Sequence, residues 1–168
     1  MNALLATWNQ LNSEEASSQL RHCCASSQWA QKLTAMRPFP DEDSLFAASD
    51  CVWTAMREPD WMEAFQAHPR IGEKKVEATA QSRQWSLQEQ GSAETAEFGI
   101  KQAMAHGNLR YEQIFGFTYI VCATGKDLLE MLNILETRLQ HDRAAELAEA
   151  AEQQRQITQI RLRKWLNP

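Results

Sequence analysis

Apolar residues in this chain recur at steps of three and four, the spacing that puts side chains on one face of an α-helix. In NALLATWNQL, Leu4, Leu5, Trp8 and Leu11 share a face. Asn12 and Glu15 have capping-box spacing and predict a second helix through Leu20. SQWAQKLTAM predicts a third, stopped by RPFP. From Asp43, the stripe Leu45, Phe46, Val52, Trp53 and Met56 predicts a fourth, with Pro59 ending that region. DWMEAF then offers a short helix that runs into His68. Residues 73 to 91 are polar and weakly patterned. From Ser92 a longer helix carries Ile100, Ala103, Met104, Gly107, Tyr111 and Ile114 on one side.

FGFTYIVCATG breaks the helical rhythm. It is continuously apolar and rich in β-branched and aromatic residues, a composition that suits a strand. A lone strand has no partner here, so the stretch predicts a buried extended segment between helices, over about 117–123. Leu128, Leu132, Leu135 and Leu139 mark the next helix, and a last long helix runs from about Ala144 to Trp165. The chain contains no internal repeat, low-complexity tract or interior linker. The pattern predicts an all-α fold: a single-domain helical bundle over 1–168 with one short buried non-helical segment.

Composition narrows the partners. The 168 residues make one ordinary domain, long enough to bury a sizeable core. A net charge of −5 supplies no electrostatic reason to bind nucleic acid or an anionic membrane. The cysteines, Cys23, Cys24, Cys51 and Cys122, form no CxxC and are expected as buried thiols in a reducing compartment. The first residues show no basic leader, no stretch approaches a membrane span, and RKWLNP carries no peroxisomal address, so the expectation is a cytoplasmic protein.

Candidate chemistry is sparse. The histidines, His22, His68, His106 and His141, fall into no HxxxH or HExxH pair, and no metal site is expected. ATGKD is a fragment of a phosphate-binding loop without its first glycine and final hydroxyl, and reads better as a loop with Asp127 at the start of a helix. His68 differs from the other histidines because Pro69 follows it. Proline disfavours the α conformation at the residue before it and fixes its own φ, so the preceding helix should end at His68 on a stiffened backbone. Gly72 then permits a sharp change of direction. Spacing alone leaves an ordinary turn histidine and a mounted reactive group both standing.

Two further places carry paired readings. Ser86 and Glu89 have capping-box spacing, yet little apolar periodicity follows them. On one helical turn, Ser86, Glu89 and Gln90 would instead point three polar tips into a cleft. Arg161, in ITQIRLRKW, interrupts an apolar stripe. It either snorkels or meets helix-terminal carbonyls, or it serves as a planar clamp for an anion or carbonyl.

The ordered set RPF (37–39), HPRIG (68–72), SLQEQ (86–90), YEQIFGFTYIV (111–121), LETRL (135–139) and ITQIRL (157–162) resembles the OHCU decarboxylase family. OHCU is 2-oxo-4-hydroxy-4-carboxy-5-ureidoimidazoline, and the family performs the last step from urate to (S)-allantoin. The resemblance covers nearly the whole chain. One departure is Ile114, before FGF, where the family commonly has a basic residue. The resemblance implies an all-α fold, a homodimer, a small-molecule substrate and no cofactor. It implies His68 as the catalytic histidine with Glu89 as its partner, and Pro69, Ser86, Gln90 and Arg161 as substrate contacts. Backbone groups of Tyr119, Ile120, Val121, Cys122 and Ala123 would read the ring and ureido amides. The rival readings are a non-catalytic helical interaction module and a cofactor-free lyase or hydrolase acting on a related ureide.

Glu89 separates cap from catalyst. Glu89→Gln is expected to cost activity far more than stability. A purely capping residue would reverse this, with a loss on the order of 1 kcal/mol in stability and unchanged kinetics. Melting temperature and kcat/KM measured on one preparation decide.

Overall fold

The computed structural model describes residues 2–72 and 92–168. Among them run eight helices and no strand: α1 Ala3–Gln10, α2 Ser13–Leu20, α3 Ser27–Ala35, α4 Glu42–Thr54, α5 Glu58–Gln66, α6 Ser92–Phe115, α7 Leu128–Arg138 and α8 Arg143–Leu166. The all-α expectation holds. The chain gathers into two compact units, one of Met1–His68 with Ala148–Pro168 and one of Pro69–Leu147.

In the first unit, short polar side chains start the helices. Asn2 accepts from the Leu4 and Leu5 N–H groups, Asn12 from Glu15, Ser26 from Trp29 and Asp41 from Ser44. Each satisfies backbone donors that a first helical turn leaves without partners. α3 packs against α2, α4 and α5. The core includes Leu5, Trp8, Leu20, Trp29, Leu33, Leu45, Phe65 and Leu162, each fully buried. A buried indole needs an acceptor for its one polar atom. Trp8 donates to the Ala16 carbonyl, Trp29 to Ser49 and Trp53 to Ala151. The last of these ties α4 to α8.

Pro59 does not close the α4 region as the pattern suggested. α4 is capped at Ala55, and Pro59 sits in the first turn of α5. Proline is tolerated there because that turn has no intrahelical acceptor for its N–H. Asp60 accepts from the Arg57 N–H and completes the start. At the far end Ala67 caps α5, and the His68 N–H still reaches the Phe65 carbonyl at 3.1 Å.

In the second unit, Gly72 has φ of +84°, and a Cβ there would stand 3.3 Å from Met104 Cγ. The turn after His68 therefore suits glycine on both conformational and spatial grounds. Arg70 is held beside it by a two-pronged pair with Glu112, Nε to Oε1 at 2.8 Å and Nη2 to Oε2 at 2.6 Å. Asn108 donates to the Ile71 carbonyl at 2.9 Å. α6 and α7 pack together so closely that a Cβ on Gly107 would come 2.5 Å from Leu135 Cδ2. The expected stripe on α6 holds at Met104 and Tyr111 but not at Ile114, which is exposed. Phe115 is the buried residue at that end, because it falls four positions after Tyr111.

The chain between α6 and α7 is non-helical, with Phe117, Tyr119, Ile120, Val121 and Cys122 buried and Ala123 exposed. Asp127 caps α7, accepting from the Glu130 N–H while Glu130 accepts from its own. Behind this segment lies a buried charge network. Glu146 is wholly buried and takes Tyr111 Oη–H, Arg138 Nε at 2.8 Å and His141 Nδ1 at 2.9 Å. Arg138 also donates from Nη1 to the Ile120 carbonyl at 2.7 Å. Burial, joined by the bond to Glu146, pushes the Tyr111 phenol up and keeps it protonated.

Removing one member of a buried ion pair strands the other. Glu146→Gln is expected to cost about 3–5 kcal/mol, whereas Glu112→Gln, in the more exposed pair with Arg70, should cost about 1 kcal/mol or less. Denaturant unfolding of both variants checks this. Equal losses would refute the contrast.

Candidate functional site

His68 follows the α5 cap, half-buried, and meets α8. Its Nε2 lies 2.7 Å from Gln154 Oε1. Gln154 is fully buried, and its Nε2 donates to Thr158 Oγ1 at 3.1 Å. Thr158 in turn donates its hydroxyl to the Gln154 backbone carbonyl one helical turn back, at 2.9 Å. Because the Thr158 proton is used there, its oxygen is the acceptor for the Gln154 NH₂, and the carboxamide oxygen is left facing His68.

Arg161 comes from the same helix, three residues beyond Thr158. It is exposed, and Nη1 donates to the Cys23 carbonyl at 3.3 Å. That contact is long for a hydrogen bond from a guanidinium. Burial pulls the His68 pKa below the ordinary 6.5, the bond to Gln154 opposes this, and the Arg161 charge adds to the lowering. The imidazole therefore rests neutral at pH 7, with a basic nitrogen available.

Cys23 and Cys24 lie on the turn after α2. Burial pushes both thiols up to about 11, opposed at Cys23 by Arg161 and at Cys24 by hydrogen bonds with the Ser26 backbone and the Thr158 side chain. At neutral pH they are protonated packing groups rather than nucleophiles. All four cysteines are free, but Cys51 is exposed where a buried thiol was expected. Among the described residues no group of three or more His, Cys, Asp or Glu side chains could hold a metal ion. Nor is any helix among them long and apolar enough to cross a membrane.

Of the residues singled out in the sequence, His68 and Arg161 stand together in the first unit. Pro69 is exposed. Ser86, Glu89 and Gln90 lie outside the described residues. Tyr119, Ile120, Val121, Cys122 and Ala123 belong to the second unit, where Arg138 holds the Ile120 carbonyl and Lys126 Nζ donates to the Cys122 carbonyl at 2.9 Å. Gln154 and Thr158 escaped the sequence reading. Their signal was present: both fall on the buried stripe of α8 with Ala150, Ala151 and Leu162. A polar residue at a core position needs a partner, and that partner can come from a functional side chain.

Comparison with known proteins agrees with the fold. The family model for OHCU decarboxylase matches residues 9–163. The chain is 33% identical over 144 residues to the uric acid degradation bifunctional protein TTL of Arabidopsis thaliana, covering 84% of this chain and 44% of that protein. It is 25% identical over 155 residues to the uric acid degradation bifunctional protein PucL of Bacillus subtilis, covering 92% of this chain and 31% of that one. The chain thus spans less than half the length of these relatives. A crystal structure of an OHCU decarboxylase in the presence of (S)-allantoin superposes with a TM-score of 0.73 at 31% identity, over 89% of this chain and 98% of that one. An (S)-allantoin synthase shares the fold with a TM-score of 0.67 at 19% identity, over 96% and 53%. With its motifs in order and all but its ends matched by the family model, this chain belongs to the OHCU decarboxylase family.

Proposed function

We propose that this chain decarboxylates OHCU to (S)-allantoin, the last step of urate breakdown, with no cofactor. The observation that carries the reading is His68: a neutral imidazole on the rigid end of α5, fixed at Nε2 by Gln154 and set beside the Arg161 charge. A turn histidine in a mere interaction module has no need of a buried amide to orient it. The family membership and the likeness to a decarboxylase structure at 31% identity support the substrate assignment over another ureide.

Decarboxylation leaves an electron pair that needs a sink. Here the substrate supplies it. The ring carbon that bears the carboxylate also bears a hydroxyl and adjoins a C=N carbon. When the C–CO₂ bond breaks, its pair forms a C=C bond, and the C=N pair moves onto nitrogen, which takes a proton. The resulting enol then loses its hydroxyl proton and gains one on the neighbouring carbon, giving allantoin. His68 manages the hydroxyl proton, for which an imidazole near neutrality is well matched. General acid–base help of this kind is worth roughly 10²–10⁴-fold. Arg161 steadies charge that builds on a ring oxygen. Glu89 acts on the substrate as the histidine's catalytic partner, and Pro69, Ser86, Gln90 and the backbone of residues 119–123 hold the ring and ureido groups. A held ring offers one face to the proton donor, which yields a single enantiomer. We read residues 1–168 as one such domain, acting as a cytoplasmic homodimer.

His68→Asn is expected to abolish turnover and keep the fold. A coupled assay from urate, with urate oxidase and the hydrolase that opens its product, should be followed by optical rotation alongside circular dichroism of the protein. Near-normal turnover in the folded variant, or racemic allantoin from the wild type, would sink the reading.

The lowered His68 pKa predicts a pH dependence with a definite sign. If neutral His68 is the base, kcat/KM should rise with pH through an acid limb that lies below 6.5. Stability follows the same direction. The unfolded chain protonates this histidine before the folded one does, so its contribution is complete above 6.5 and falls away as pH drops through the folded value. An NMR titration that places His68 of the folded chain above 6.5 would contradict both statements.

A further inference from the structure

We propose that Gln154 is the positioning residue of His68: its carboxamide oxygen holds the ring as the Nε2–H tautomer and leaves Nδ1 as the nitrogen that exchanges protons with substrate. The inference deepens the decarboxylase reading and rests on it for the role of the exchanged proton, but the tautomer itself is a property of the folded chain. No sequence motif pointed to this residue.

The geometry runs in one direction. Thr158 gives its hydroxyl proton to the Gln154 backbone carbonyl at 2.9 Å and so can only accept from the Gln154 NH₂ at 3.1 Å. That pins the amide nitrogen toward Thr158 and the amide oxygen toward His68, 2.7 Å away. An oxygen acceptor at Nε2 requires a proton on Nε2 in both the neutral and the cationic ring. Gln154 therefore keeps its bond unchanged while Nδ1 gains and loses a proton, and no reorganisation accompanies the transfer. Gln154 is wholly buried, so an unmatched amide here would carry the full cost of a buried polar group.

The choice of an amide has a second effect. A carboxylate at Nε2 would favour the charged ring strongly, whereas a neutral acceptor opposes burial only in part. The charged group acting on the ring from α8 is Arg161, which also favours the neutral form. From the turn after α2, the thiols of Cys23 and Cys24 add no charge at neutral pH, being held up at about 11. Gln154 thus orients the base without converting it to an acid.

The test is ¹⁵N NMR of His68 in the full chain, with His68→Asn to assign its signals, run beside the pH–rate profile. The wild type should show its neutral ring protonated at Nε2. Gln154→Leu should mix the tautomers and lower kcat by roughly tenfold or more with KM little changed. Gln154→Glu should keep the Nε2–H tautomer but raise the His68 pKa, moving the acid limb to higher pH by about one unit or more. A wild-type ring protonated at Nδ1, or a Gln154→Glu protein whose His68 titrates as before, would overturn the proposal. The wild-type tautomer measurement decides even if a variant fails to fold. An Nε2–H ring in a wild-type chain that does not turn over OHCU would uphold the positioning and refute the decarboxylase reading instead.

Discussion

A carboxamide shut away from water must be matched atom by atom, and the site in the first unit is organised by that requirement. Gln154 is fully buried, so its oxygen and its nitrogen each need a partner from the protein. Thr158 lies one turn along the same helix and is available to the nitrogen at the cost of one side-chain rotamer. The oxygen has to be met from another element, and His68, at the end of α5, meets it. The match works because α5 stops there. Pro69 prevents the helix from continuing, so the imidazole is delivered by a terminus instead of lying along a helix flank. One unmet hydrogen-bonding need thus joins the end of a short helix to the middle of a long one.

The second unit solves a similar problem with charge. Glu146 is an acid with no access to water, a costly arrangement unless every lone pair is used. Tyr111, Arg138 and His141 use them. The guanidinium is then fixed in orientation, and its Nη1 reaches the Ile120 carbonyl. An irregular apolar segment has no ladder of its own to satisfy its backbone. Arg138 supplies one of the bonds that a neighbouring strand would otherwise provide, and the segment keeps a defined course without a sheet.

Both arrangements separate orientation from reactivity. Gln154 is neutral and orients His68 without strongly changing its charge, which burial and Arg161 bias toward the neutral ring. In the network around Glu146 the Arg138 guanidinium offsets the carboxylate, and burial keeps the Tyr111 phenol protonated. A histidine biased toward its neutral form belongs to the first arrangement; the second favours rigidity. The proposed chemistry asks for both, a movable proton and a firmly held ring.

Much of this was legible along the chain. Helical spacing predicted α1 to α4 and α6 to α8 to within a few residues, because an amphipathic helix must repeat its apolar face every three or four positions. The break at 117–123 showed for the same reason: it is apolar without a helical period. His68 stood out because Pro69 acts on its immediate neighbour, and such local backbone effects can be read without a fold. Pro59 misled because one residue type both ends and begins helices, and which it does depends on the cap before it. Ile114 misled because a period of 3.6 drifts, and only the packed helix shows which of two adjacent positions turns inward. The sequence by itself determined the helices, the interruption and the unusual histidine. Only the tertiary structure decided what that histidine touches. His68 and Gln154 are 86 positions apart, and no local rule pairs them. Their contact is set by which helix faces are buried together, a global minimum of exposed apolar surface and unmatched polar groups.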